Sequence, residues 1–338
     1  MSAIELPSLI KNRLGSPVMK SSIPSRWLHR FAWLTALLTL LLPVTTGAIV
    51  TTLKAGMAFG DWPSSDGYTM VTYPWLTAAR DQFVEHSHRL AGLTIGVLSV
   101  GLAAYTWCSS SGRLSKYLAA AIFGSVVVQG LLGGARVLLD RETMALVHGD
   151  FAAGVFSLMA VLVLTTAVGW EARVRLQSRS AAKTALTWAL IASVLMSLQY
   201  FFGGVLRHLK LAWAWNLHPW FALAPLAAAL MFALVVKNSE SLMLKRCVKS
   251  VVVFVSLQML LGLATWFVRY GVPSWGVVAE QESIPMVAIC SLHKILGMLC
   301  LMTTVVSVVC VASIFPKRDI EHQPVSVDFE ASVMGVAT

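Results

Sequence analysis

Eight apolar runs, at roughly 31–53, 84–107, 117–139, 144–169, 184–206, 214–236, 250–270 and 285–315, are each long enough to cross about 30 Å of hydrocarbon. In lipid, backbone N–H and C=O groups must be satisfied within a helix or a closed barrel. The runs show no period-two alternation with turn signals, so they read as helices. The chain is thus expected to be an all-α polytopic membrane protein with eight transmembrane helices. Composition agrees, since 57% of its 338 residues are hydrophobic and only 12% are charged.

Charge orients the helices. Lys11, Arg13, Lys20, Arg26 and Arg30 precede the first run, and Arg113 and Lys116 follow the second. Arg173, Arg175, Arg179 and Lys183 fall on the same side, as do Lys237, Lys245, Arg246, Lys249, Lys317 and Arg318. By the positive-inside rule both termini are cytoplasmic. The net charge of +10 then faces anionic lipid and calls for no nucleic-acid partner. Residues 1–30 and 316–338 read as cytoplasmic tails, and 171–183 as a basic cytoplasmic linker. His29 and His322 are expected to be solvated there. Cys108, Cys247, Cys290, Cys300 and Cys310 form no C-x-x-C pair and avoid the outer loops, so neither a disulfide framework nor a thiolate metal site is expected.

The chain repeats itself. Residues 47–58, from Gly47 to Ala58, line up with 203–214, and Gln129-Gly130-Leu131-Leu132-Gly133 lines up with Gln258-Met259-Leu260-Leu261-Gly262. The matches fall at the end of helices 1 and 5 and in the middle of helices 3 and 7. Two duplicated four-helix bundles follow, spanning 31–170 and 184–315. On that alignment His88 corresponds to His218 and His148 to His293, each toward the outer end of its helix. Gly92, Gly96, Gly130, Gly134, Gly149 and Gly154 lie near the first-half pair and would allow close helix approach. A histidine pair facing across a bundle in lipid fits a hydrogen-bonded pair, a proton relay, or a porphyrin iron held from both sides. Zinc fits less well, because no carboxylate or thiol joins the pairs in both halves. His208 aligns with Thr52 at an outer boundary and reads as interfacial.

The halves differ at one place. Glu85 lies three residues before His88 and Arg89 one after it, and on a helix Glu85, His88 and Arg89 share a face while His86 and Ser87 point elsewhere. The corresponding residues in the second half are Trp215 and Pro219. The loop 54–84 is also much longer than its counterpart and carries Asp61-Trp62-Pro63 and Tyr73-Pro74-Trp75, residues suited to a cover over the outer mouth. The first half thus reads as a substrate site and the second as a permanent cofactor site.

Glu85-x-x-His88-Arg89, the Asp61-Trp62-Pro63 loop, Gln129-Gly-Leu-Leu-Gly-Gly-x-Arg136-Val137 and Val147-His148-Gly149 closely resemble the haem A synthases, the CtaA-type bacterial enzymes and their mitochondrial relatives. The likeness runs from about residue 31 to 315, and is looser around Asn216-Leu217-His218-Pro219 and Leu292-His293-Lys294. The resemblance implies an oxidoreductase of the bacterial inner membrane that oxidises the C8 methyl of haem O to the formyl group of haem A, for cytochrome oxidase. It implies haem b as cofactor on His218 and His293, with His88 and His148 flanking the substrate haem and Glu85 catalytic beside its reacting edge. Arg89 would pair with Glu85 or with a haem propionate. Implied partners are haem O, an electron acceptor, a haem O synthase, oxidase assembly factors and membrane lipid. Some relatives carry a Cys pair in the first outer loop; residues 54–84 have none. The rival readings are a non-catalytic dihaem b-type electron carrier, which needs neither Glu85 nor the loop, and a proton-relaying transporter, which needs no haem.

Overall fold

The computed structural model describes residues 26–167, 170 and 179–314. Its eight long apolar helices are α1 Arg26–Thr52, α2 Arg80–Cys108, α3 Arg113–Leu139, α4 Glu142–Thr166, α5 Ser180–His208, α6 Ala212–Val236, α7 Leu242–Tyr270 and α8 Ile284–Ser313. They match the eight apolar runs, though most begin a turn or more earlier, α7 earliest of all at Leu242. The tails and the basic linker lie largely outside the described residues. One edge differs from expectation. The first turn of α1 takes in Arg26 to Arg30, and His29 there sets Nδ1 3.2 Å from Thr166 Oγ1 at the end of α4. His29 is therefore a helix-packing residue and not part of a solvated tail. His322 lies outside the described residues.

Helix α1 packs on α2, α2 on α3, α3 on α4 and α4 back on α1, and α5 to α8 close a second ring in the same way. The rings meet where α8 lies against α1 and α4, and α4 against α5. Apolar side chains fill each ring at the end from which the odd-numbered helices start. Leu28, Leu102, Ile122 and Leu162 do so in the first, and Phe232, Leu244, Val311 and Ile314 in the second. Lipid is as apolar as these side chains, so packing and polar contacts, not the hydrophobic effect, hold the rings together. Lys294 of α8 supplies such a contact, its Nζ donating to Thr52 Oγ1 (2.8 Å) and the Ala48 carbonyl (3.3 Å) of α1.

Two helices are interrupted, each beside a histidine of interest. In α1 the π turn Leu40–Val44 contains Pro43, which has no N–H to donate and so favours a local widening. Thr45 and Thr46 hydroxyls add bonds to the carbonyls of Leu40 (2.8 Å) and Leu42 (2.7 Å), which also accept from the Thr45 N–H. In α6 the first segment, Ala212–Phe221, holds His218 and Pro219, and the helix resumes as Leu223–Val236.

Candidate functional site

The four histidines meet in two pairs. His88 of α2 and His148 of α4 have ring centroids 6.3 Å apart and ring planes at 82°. His218 of α6 and His293 of α8 stand 6.4 Å apart at 85°. Each ring lies against a glycine on the preceding helix. A Cβ added at Gly47 would come within 2.8 Å of His88 Cε1, at Gly203 within 2.9 Å of His218 Cε1, and at Gly133 and Gly262 within 3.2 Å of the His148 and His293 rings. Of the glycines singled out by sequence, Gly92, Gly96, Gly130 and Gly154 have no atom within 4 Å of an added Cβ, so they make no such close approach. Gly134 does, because Trp62 from the long loop covers it.

A glutamine stands one turn before three of those glycines. Gln129 Nε2 donates to the His148 carbonyl (3.1 Å), Gln199 Nε2 to that of His218 (3.0 Å) and Gln258 Nε2 to that of His293 (2.9 Å). The Gln129 and Gln199 amides also lie 3.2 Å from Nδ1 of His148 and His218. The Oε1 atom of all three glutamines is buried without a partner. An imidazole whose Nε2 binds a metal carries its proton on Nδ1 and needs an acceptor there. The glutamine amides hold the helix turn that carries each ring, with Nε2 of Gln129 and Gln199 beside Nδ1. His88 is served differently: Thr46 Oγ1 lies 3.1 Å from its Nδ1. The repeat alignment sets Pro43 where the second half has Gln199, so the π turn and Thr46 take over the glutamine's task.

The spacing of the rings fits a shared metal ion. Two metal–nitrogen bonds of about 2 Å, with each ring centre about 1 Å behind its nitrogen, put the centroids about 6 Å apart. Among the described residues no group of three or more His, Cys, Asp or Glu is arranged to hold an ion. An ion held by such a pair would need its remaining donors from a bound group, as a macrocycle supplies them. The second pair opens on a cavity of about 610 Å³ lined by Gln199, Gly203, Trp215, Gln258, Gly262 and Trp266 among others. Trp215, which stands where the first half has Glu85, packs there on Trp266 (4.9 Å) and Tyr270 (4.6 Å).

Glu85 and Arg89 make a buried ion pair, Arg89 Nη2 to Glu85 Oε1 at 2.8 Å, with side chains 5% and 7% exposed. Those exposures remove the wet helix end as an explanation, since water does not screen this pair. The Ala58 N–H donates to Glu85 Oε2 at 2.6 Å. Arg89 also donates from Nη1 to the carbonyls of Asp61 (2.9 Å) and Ser64 (2.7 Å), and its guanidinium stacks 4.8 Å over Phe59. The pair therefore clasps the long loop onto α2. His86, which the helix face directs away from His88, completes the clasp. It is fully buried, accepting from or donating to Ser65 Oγ at 3.0 Å through Nδ1, with Nε2 3.1 Å from the Met70 carbonyl. Phe59 and Tyr73 pack on its ring. Within the loop, slight burial would raise the Asp61 carboxyl. The Gly67 and Asp66 N–H groups and the Ser64 hydroxyl outweigh it and hold Asp61 below its ordinary value.

His86→Ala removes two buried hydrogen bonds, each worth about 1 kcal/mol or more. We expect limited proteolysis near the exposed residues 66–69 to speed up about tenfold while the helical circular dichroism stays unchanged. Unchanged cleavage would mean that His86 does not hold the loop.

A family model described as cytochrome oxidase assembly protein, COX15-CtaA, matches residues 29–220, more than half of the chain. The chain belongs to this family. The match covers the whole first ring, the long loop, α5 and the part of α6 that carries His218. Among curated proteins the chain is similar to the haem A synthase of Bacillus licheniformis, 34% identical over 136 residues, 40% of this chain and 43% of that one. It is also similar to those of Halalkalibacterium halodurans, 31% identical over 122 residues (36% and 39%), and Geobacillus kaustophilus, 31% over 131 residues (38% and 39%). The chain thus spans about two fifths of the length of these relatives. As a COX15-CtaA protein it places its four candidate ligands in two like pairs, with a carboxylate and a covering loop beside one pair only.

Sequence reasoning passed over Gln129, Gln199 and Gln258 as ligand supports, although Gln-x-x-x-Gly recurs at 129–133, 199–203 and 258–262. His208, read as interfacial, lines the cavity of the second pair.

Proposed function

We propose that this chain is a haem A synthase, a membrane oxidoreductase that takes haem O in its first half and keeps haem b in its second. The observation that carries this reading is the contrast between two like histidine pairs, of which only one has a buried carboxylate and a tryptophan-bearing cover beside it. His218 and His293 are the residues that would hold haem b, which would supply electron transfer there. His88 and His148 flank the substrate. The C8 methyl becomes a formyl group by two hydroxylations and loss of water, releasing four electrons and four protons to an acceptor outside the chain. Glu85 orients water at the methyl-bearing edge and takes its proton, while Arg89 and the Ala58 N–H fix the carboxylate in place. The long loop, with Trp62 over Gly134 next to the His148-facing Gly133, keeps bulk water from that pocket. By the positive-inside rule this loop lies on the outer face of a bacterial inner membrane and both termini lie inside.

The test is co-expression with a haem O synthase, followed by haem extraction and chromatography. We expect haem A to appear only when this chain is present. Haem O unchanged beside a normal b-type spectrum would instead identify a dihaem electron carrier, and a colourless protein would end both readings.

A further inference from the structure

A second cavity, of about 260 Å³, lies between the two rings at the end that carries the long loop. Its walls hold Lys54, Arg136, Arg207, Lys210 and Arg269, against which only Asp140 and Glu142 are acidic, and Glu142 is paired with Lys210 at 3.4 Å. Among the described residues Arg136 and Arg207 make no ion pair and no hydrogen bond, and neither guanidinium is fully exposed. The Asp150 carboxylate near Arg207 and that of Glu85 near Arg136 offset only part of the cost of burying these guanidinium groups, which a bound anion would offset further.

Their positions follow the glycines that cradle the histidine rings. Arg136 lies three residues after Gly133, Arg207 four after Gly203, and Arg269 seven after Gly262. On a helix these offsets return to the same face one or two turns on. All three helices, α3, α5 and α7, run toward the long-loop end. The arginines therefore stand on the faces that meet the rings, one to two turns beyond them. A porphyrin centred between a histidine pair reaches that far with its propionate side chains. Arg207 and Arg269 line both this cavity and the one around His218 and His293, so the two spaces adjoin at these side chains.

We propose that this basic cavity is a carboxylate clamp for the propionates of the tetrapyrroles in both halves. Arg207 and Arg269 serve the His218/His293 side and Arg136 the His88/His148 side. The proposal rests on the reading that the histidine pairs hold haems, and it adds an orientation. The C8 methyl of haem O neighbours a propionate-bearing carbon, so a clamp at the long-loop end turns that methyl toward the end of α2 where Glu85 lies. Guanidinium pairs with carboxylate through two parallel hydrogen bonds, which fix direction as well as affinity. Walls from both rings enclose the space, so an anion bound here is shared between the halves.

The experiment uses the full chain, produced in a haem-auxotrophic host and titrated in detergent with iron protoporphyrin IX or with its dimethyl ester. The ester keeps the iron and the ring but has no carboxylates. Binding is followed by the Soret absorbance. We expect the ester to bind the unaltered protein about tenfold or more weakly than the diacid. In Arg207→Gln the diacid loses a large part of its advantage over the ester while the ester is unchanged, and Arg207→Lys recovers part of the loss. Unchanged ester binding shows that the variant is folded; should Arg207→Gln bind neither, Arg269→Gln carries the same comparison. Equal binding of diacid and ester by the unaltered protein, or a difference that survives Arg207→Gln and Arg269→Gln alike, overturns the clamp while leaving the haem reading intact. A difference abolished by anionic lipid in the micelle, or by inorganic phosphate, assigns the cavity to those anions and likewise overturns it. Failure of the unaltered protein to bind either porphyrin overturns the haem reading and the clamp together.

Discussion

Replacing His218 or His293 by alanine is expected to yield a protein that folds but lacks the low-spin b-type absorption that the proposed haem b would give. The paired rings stand 6.4 Å apart, so deletion of either would remove one of the two side chains that would hold the cofactor. Core helix packing does not depend on these side chains, which line a cavity and are not fully buried. The same loss, in weaker form, follows from Gly203→Ala, because the new Cβ would lie 2.9 Å from His218 Cε1 and the ring would have to swing off axis. Gly96→Ala, which meets nothing within 4 Å, is the matched control. His86→Ala should leave the spectrum in place, since that ring is engaged by Ser65 and Met70. A b-type spectrum that persists in both His218→Ala and His293→Ala would remove the second pair as the cofactor site.

Those controls separate what the sequence makes legible from what it hides. The eight spans are legible because the bilayer imposes one length and one polarity on every crossing segment, and a window of apolar residues reads both. The four histidines are legible for the converse reason: an ionisable group in a crossing segment needs an explanation. The glutamines are hidden because a helical face assembles from residues on different helices, and one-dimensional spacing does not say which face meets which. Gln129 contacts His148 on α4, not a residue of its own helix. The role of Arg89 is hidden likewise. Its choice between Glu85 and another anion depends on a loop whose backbone carbonyls, at Asp61 and Ser64, cannot be assigned from residue names. The small residues misled for the same reason: Gly96 and Gly133 are alike in the sequence, yet only Gly133 faces a ring.

Glu85→Gln is expected to keep the b-type spectrum and to lose haem A production by at least about tenfold, with haem O or a hydroxylated product accumulating. Glutamine preserves the volume and one acceptor oxygen, so the Ala58 N–H at 2.6 Å can keep its bond. Arg89 retains the carbonyls of Asp61 and Ser64 at 2.9 and 2.7 Å, which hold the loop in place. What the amide cannot do is accept a proton or carry a negative charge to the edge of the substrate ring. The competing explanation is that the buried Glu85–Arg89 pair serves only to clasp the loop. Breaking a buried pair from one side costs about 3–5 kcal/mol, so a purely structural role predicts an unfastened loop. The two are told apart by proteolysis of residues 66–69 in the same preparation. Slow cleavage together with lost haem A assigns Glu85 to the chemistry, and fast cleavage assigns it to the clasp. Each tenfold loss of rate corresponds to about 1.4 kcal/mol of transition-state stabilisation. A variant within twofold of the unaltered protein leaves nothing for the carboxylate to do in catalysis. The second half supplies the internal comparison: Trp215 occupies the matching place, packed on Trp266 and Tyr270, and has no proton to exchange. A pair of histidines that only holds a haem therefore has no need of an acid at that position. On the proposed reading its presence, buried and oriented beside His88 alone, marks the first half as the half for chemistry.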